Sequence, residues 1–244
     1  VAHYTFGDDD RALERLRLVA DAYAPVSGPF VARHLPAGAA TVLDLGCGPG
    51  FSTELLARHA TPGAVLGLDA SAPFLDVARS RVPAARFVLH DVTTVPLPGA
   101  PAHAIYARLV LAHLPDPLAT VQRWRGELAP GGVLLIEDLE RVEAPPGCLR
   151  HYEELSAEVV RHGGGVMDAG AVLAPLGGRL APVTVPAGLA AAVYRVNVRR
   201  WLDDEDRRPL WPRLRPLEAA LAGTARDDGG AQLSWIVRQL VLGG

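Results

Sequence analysis

Lysine is absent from this chain, cysteine occurs twice, methionine once, and aromatic residues make up only 6% of its 244 positions. Two cysteines, Cys47 and Cys148, far apart in the chain, give no disulfide framework of the kind small secreted domains use to supplement a core. No apolar run reaches the roughly 20 residues that span a bilayer, and the opening VAHYTFGDDD has no basic-then-apolar signal pattern. The expectation is a cytoplasmic protein that does not engage membranes. With lysine missing, the 24 basic side chains are all arginine, and they are interspersed with 27 acids for a net charge of −3. No basic stripe emerges, so a nucleic-acid partner is not expected. What is present is apolar: 49% hydrophobic against 21% charged residues, enough to bury a full core. The length suits one α/β domain.

The stretch around which the chain is organised is Thr41 to Gly50, TVLDLGCGPG. An apolar run leads into a turn in which Gly46, Gly48 and Gly50 alternate with Cys47 and Pro49, and an amphipathic segment, Phe51 to His59, follows at once. That is strand, tight loop and helix, with the helix N–H groups facing the contents of the loop. A dinucleotide fingerprint, G-x-G-x-x-G, requires glycine at position 51, which here is Phe51.

The string D-L-G-C-G-P-G, with Asp44 two residues before the first glycine, resembles motif I of the class I S-adenosylmethionine (SAM) dependent methyltransferases. In that family the acid and the loop backbone hold the amino-acid end of SAM, so the resemblance implies that Asp44, Gly46, Cys47, Gly48 and Gly50 contact the cofactor. Ala64 to Leu68 reads as a buried parallel strand ending at Asp69, where a nucleoside fold binds ribose hydroxyls. Ala70 follows, Ser71 caps a helix over 72–81, and Phe74 is an apolar contact for the base. The third strand, Ala85 to Leu89, runs into Asp91 and Val92, which the resemblance places at the adenine. Asp44, Asp69 and Asp91 thus stand at the carboxyl ends of three successive strands, the location of ligands in open α/β sheets.

Strands are further expected over Ala102 to Val110 and Val133 to Asp138, separated by a helix over Leu118 to Leu128 and by the turn Ala129–Pro130–Gly131–Gly132, another landmark of the resemblance. Beyond Leu139 the spacing predicts helices over 149–162, 168–176, 189–202 and 217–222, and strands over 180–186 and 234–242. The implied fold is a Rossmann-like, seven-stranded mixed α/β sheet ordered 3-2-1-4-5-7-6 with the last strand antiparallel. Its divisions are a helical lid over 1–38, a SAM-binding core over 39–140 and a substrate-side portion over 141–244, forming a single domain, monomeric or homodimeric. The lid is expected as two helices, one through Leu13, Leu16 and Val19 and one over Ala24 to Leu35, preceded by Tyr4 and Phe6 lying over the cofactor.

Displacement at a sulfonium requires alignment and exclusion of water, and a base only where the nucleophile carries a proton. The polar candidates near the methyl position are Arg108, His113 and His151. His113 is either a base or a histidine that ties the loop after the fourth strand; Arg108 contacts the cofactor or an anionic substrate, or forms a structural ion pair; His151 begins the region that covers the substrate. The positive charge of Arg108 opposes a divalent cation, so no metal is expected. Trp201 and Trp211 suit either an apolar pocket or the core. The resulting expectation is methyl transfer from SAM to an O, N or C atom of a small, partly apolar acceptor in bacterial specialised metabolism, releasing S-adenosylhomocysteine. The alternative is a SAM-binding protein of the same fold acting as a cyclase or a regulatory module.

Overall fold

The computed structural model describes residues 7–244. Its centre is a seven-stranded sheet in the order β3-β2-β1-β4-β5-β7-β6, formed by β1 (Val42–Leu45), β2 (Val65–Asp69), β3 (Arg86–Leu89), β4 (Ala102–Arg108), β5 (Leu128–Glu143), β6 (Arg179–Pro186) and β7 (Gln232–Gly243). β7 runs antiparallel to both of its neighbours, and the other pairings are parallel. Order and direction agree with the sequence expectation. β1 is buried at every position because helices cover both faces. β6, at an edge, alternates exposed and buried residues over its last six positions.

Helices α1 (Asp10–His34), α2 (Phe51–Ala57), α3 (Ala72–Arg81), α4 (Pro117–Arg125), α5 (Cys148–His162), α6 (Ala169–Val172), α7 (Ala187–Leu202) and α8 (Trp211–Arg226) surround the sheet. One apolar core, containing Leu43, Leu68, Ile105, Trp124 and Ile136, fills one face of the sheet's centre. A second gathers Tyr23 of α1, Tyr152 of α5, Tyr194 and Trp201 of α7 and Trp235 of β7. Among the described residues no helix is long and apolar enough to cross a membrane.

Three expectations require correction. The N-terminal portion is one helix, α1, instead of two, and it continues through Pro25 and Pro29. Both prolines face solvent, while Tyr23, Ser27, Phe30 and Val31 form an uninterrupted buried stripe. Burying the large apolar side chains, each worth about 1.5–3 kcal/mol, offsets the missing N–H bonds. β5 reaches from Leu128 to Glu143 because β7 pairs with it as far as Glu143↔Ser234, well beyond the parallel core; the charges at 140, 141 and 143 disguise this extension. α8 begins at Trp211, six residues earlier than expected, with Pro212 in its first turn, where no N–H bond is required.

Candidate active site

The β1–α2 loop takes positive φ at Gly46 (62°), Gly48 (52°) and Gly50 (86°). At Gly46 a Cβ would lie 2.6 Å from a Val110 methyl, so only glycine lets the loop meet the chain leaving β4. At Gly48 a Cβ would have nothing within 4 Å, which marks the open side of the loop. The Cys47 N–H donates to the Leu68 carbonyl at 3.1 Å and pins the loop to β2.

Asp44 is completely buried. Its Oδ2 accepts from Ser52 Oγ at 2.8 Å and Thr53 Oγ1 at 2.6 Å, which fixes the first turn of α2. Its Oδ1 has no hydrogen-bond partner among the described residues. Burial pushes this carboxyl up to about 6, against the pull of the two hydroxyls. A buried carboxylate oxygen with nothing to accept is costly, and an ammonium group arriving in the loop would supply the missing donor. Ser52 and Thr53 were not singled out from sequence; two hydroxyls in the first turn of a helix beside a strand-end acid are the signal.

Asp69 accepts the Gly48 N–H through Oδ2 and the Ser71 N–H through Oδ1, both at 2.8 Å, and burial is the largest influence raising its pKa. Ser71 Oγ donates to Asp8 Oδ2 at 2.9 Å, bringing the approach to α1 against the end of β2. Ala70 is exposed beside it. Asp91 is exposed, and its Oδ1 accepts from the Thr93 N–H and hydroxyl at 2.9 and 2.7 Å, which hold its pKa down. The Val92 side chain is buried in the core under Trp124, whose Nε1 donates to the Val92 carbonyl at 2.8 Å, so its backbone is what it offers as a contact. Phe74 is buried at 4% exposure in the first turn of α3. Tyr4 and Phe6 lie outside the described residues.

Of the three candidates for the chemistry, Arg108 ends β4, His113 lies in the turn just after it and His151 is on α5. Arg108 ends β4 opposite Glu137 in the register, yet no ion pair joins them: Glu137 accepts instead from the Tyr106 hydroxyl at 2.5 Å and from Gln239 Nε2 at 2.6 Å. The Arg108 guanidinium stands 6.0 Å from the Tyr23 ring centre and 3.5 Å from Ser27 Oγ, and no carboxylate among the described residues pairs with it. His113 closes the short 3-10 turn Leu111–His113 after β4. Burial, and then the charge of Arg15, lower its pKa to about 4. His151 lies apart, lining a groove between α5 and α8 with Cys148, Pro216 and Leu217. Trp201 is core, stacked on Tyr152 at 5.8 Å; Trp211 lies between Arg208 and Arg215.

Sequence reasoning missed Glu153 and Arg15, and weighed Asp138 only as an oxygen donor for a metal. Asp138, at the end of the parallel part of β5, is fully buried, accepts the Leu111 and Leu139 N–H groups at 3.0 Å each, and is pushed up to about 7 by burial. Glu153 is pushed up to about 7 by burial, opposed by a hydrogen bond from Tyr194, and lines a cavity of about 600 Å³ with Val142, Glu143, Ala144 and Arg150. Arg15 sits on the buried stripe of α1 at 7% exposure; its position at helical spacing among apolar residues was the available signal.

A methyltransferase domain family matches residues 43–136. Trans-aconitate 2-methyltransferase of Methylobacterium radiotolerans is 36% identical over 201 residues, covering 82% of this chain and 70% of the relative. The enzyme of that name from Variovorax paradoxus is 39% identical over 161 residues, covering 64% of this chain and 62% of its own length. Some relatives of the same name are matched over about half their length, as in Methylobacterium nodulans at 48%. The X-ray structure of YjhP from E. coli covers 92% of both chains at 19% identity with a TM-score of 0.53, a likeness of fold. With a glycine loop braced by Asp69, an Asp44 tied to the helix after it, and a relative 36% identical matched over 70% of its length, the chain belongs to the class I SAM-dependent methyltransferase family.

Proposed function

We propose that this protein transfers a methyl group from SAM to a small organic acid. The observation that carries the cofactor half is Asp44: a fully buried carboxylate with one oxygen tied to α2 and the other lacking a donor among the described residues, at the floor of a glycine loop. In this reading Asp44 and the loop of Gly46, Cys47, Gly48 and Gly50 hold the amino-acid end, Asp69 and Ala70 the ribose, and Asp91, the Val92 backbone and Phe74 the base. SAM, when bound, supplies a methyl on a sulfonium, which a nucleophile displaces with the carbon–sulfur electrons remaining on sulfur.

The acid half is supported by the name shared by the relatives, trans-aconitate 2-methyltransferase, and by the state of His113. A carboxylate oxygen carries its own lone pair and has no proton to lose, so it needs no general base at neutral pH. His113, held down to about 4, is a neutral imidazole there and a weak proton acceptor. The chain's part is then to align the acceptor and exclude water, with α1 forming the lid and residues 141–244 the acceptor side of one domain.

The test is incubation of purified protein with SAM and trans-aconitate, followed by mass spectrometry for the methylated acid and S-adenosylhomocysteine. Appearance of both supports the reading. Tight SAM binding without turnover on trans-aconitate or a panel of other di- and tricarboxylic acids would overturn the acid acceptor, and absence of SAM binding would overturn the function altogether.

A further inference from the structure

β5 outruns its parallel neighbour. β4 ends at Arg108, opposite Glu137, whereas β5 continues to Glu143 and carries Val142, Glu143 and then Ala144 beyond the carboxyl ends of β1 and β4. That is the side of the sheet on which the glycine loop leaves β1. The chain then turns into α5, whose first turns bring Arg150 and Glu153 back against the extension, and these five residues line the cavity of about 600 Å³. Pockets for small molecules run from about 300 to 1,000 Å³. Packed side chains join this cavity to the end of β4. Tyr194 of α7 gives a hydrogen bond to Glu153 and takes one from Trp235 Nε1 at 2.7 Å. Trp235 in turn stacks on Tyr23 of α1 with ring centres 5.9 Å apart, and the Arg108 guanidinium lies 6.0 Å from the Tyr23 ring centre.

The charges around the cavity do not cancel. Glu143 pairs with Arg141 at 2.7 Å, so this acid is answered on its own strand. Glu153, with its pKa pushed up to about 7 by burial, keeps its proton below that pH and then has a hydrogen to donate. Arg150 gives Nη2 to the Ala144 carbonyl at 2.9 Å, which holds its side chain across the turn between β5 and α5. No carboxylate among the described residues pairs with Arg150. One uncompensated positive charge thus stands at the cavity of a protein whose net charge is −3. A protein of that sign that takes an anion must place local positive charge at the point of contact.

We propose that this cavity binds the acceptor, with the Arg150 guanidinium taking one of its carboxylates and the Glu153 carboxyl donating a hydrogen bond to the same group. The proposal rests on the methyl-transfer reading above and names the residues that select for an acid. Arginine suits the role because its planar donors match a carboxylate in two parallel bonds, which lysine does not reproduce; after the bond to Ala144 four of its five N–H groups are left. Val142 and Ala144 supply an apolar wall for the carbon skeleton. An acceptor with more than one carboxylate presents one group here and another to the methyl.

The experiment is calorimetric titration of trans-aconitate into protein saturated with S-adenosylhomocysteine, where no transfer takes place, together with KM for trans-aconitate in the presence of SAM. Arg150→Gln is expected to weaken binding and raise KM on the order of tenfold. Its S-adenosylhomocysteine affinity and melting temperature should stay unchanged, because the Arg150 side chain is exposed. Arg150→Lys should recover part of the loss. Glu153→Gln keeps a donor and should bind within a few-fold of wild type, whereas Glu153→Ala should lose binding several-fold. Unchanged trans-aconitate affinity in Arg150→Gln, where the wild-type protein methylates trans-aconitate, would overturn this site and leave the acid reading standing. Tighter binding in Glu153→Ala would show an ionised Glu153 repelling the ligand and would overturn it as well. Failure of the loaded wild-type protein to bind trans-aconitate overturns the site and the acid reading together, and failure to bind S-adenosylhomocysteine overturns the cofactor reading on which both rest.

Discussion

Asp69 holds the N–H of Gly48 at 2.8 Å, so the acid at the end of β2 braces the glycine loop. If it also holds the ribose as proposed, replacing it removes a brace and a ligand contact together. Asp69→Ala is expected to lower S-adenosylhomocysteine affinity at least tenfold, since charge-assisted bonds contribute about 1.5–3 kcal/mol each. Hydrogen exchange at the Gly48 amide should accelerate in the same variant. Calorimetry giving wild-type affinity in a folded Asp69→Ala protein would remove Asp69 from the site.

Glu153 makes stability depend on pH. The folded state keeps its proton up to about 7, whereas the unfolded chain releases it near the ordinary value of 4.5. Over that window the native state binds more protons, so stability falls as pH rises, by about 3 kcal/mol in all for this group. Glu153→Gln retains an oxygen for the Tyr194 hydroxyl and carries no charge. It should unfold at nearly the wild-type temperature at pH 5 and several degrees higher at pH 8. A variant no more stable than wild type at pH 8 would show that Glu153 ionises without cost.

His113 gives the opposite slope. Its folded value of about 4 lies below the ordinary 6.5, so the unfolded chain takes up a proton that the native state refuses. The stability this group contributes is present above about pH 6.5 and is lost as pH falls towards 4. His113→Gln should flatten that acid-side decline, and it should reduce rate, SAM affinity and thermal stability together, as expected of a residue that fixes the turn after β4. A loss of rate on the order of a hundredfold or more, with melting temperature and SAM affinity unchanged, would make His113 a base.

The approach to α1 is tied to the end of β2 by Asp8 and Ser71 at 2.9 Å, and its first turns to α7 by Arg11 and Asp203 at 3.1 Å. Both contacts are exposed, and exposed pairs contribute little, so this end of α1 should open readily. Hydrogen exchange over residues 8–20 is expected to slow when S-adenosylhomocysteine binds. Equal exchange with and without the ligand would show that α1 is a fixed wall and not a lid.

Sequence alone determined the glycine loop and the strand-end acids proposed to hold the cofactor, because short-range chemistry makes them. A strand-end acid, alternating glycines and a following helix are contiguous, so Asp44 to Gly50 could be read directly; Asp69 followed from its place at a strand end, and Asp91 from the family resemblance. The burial of the Val92 side chain was not legible, because it depends on Trp124, distant in sequence. Beyond the cofactor loop the arrangement depends on contacts between elements far apart in sequence. Only tertiary packing lays Tyr23 and Ser27 of α1 against Arg108 at the end of β4, and only the β5–β7 pairing carries Val142 out beside Trp235. Local pattern leaves Arg15 one arginine among many; tertiary structure buries it, because which face of α1 is covered depends on the rest of the chain.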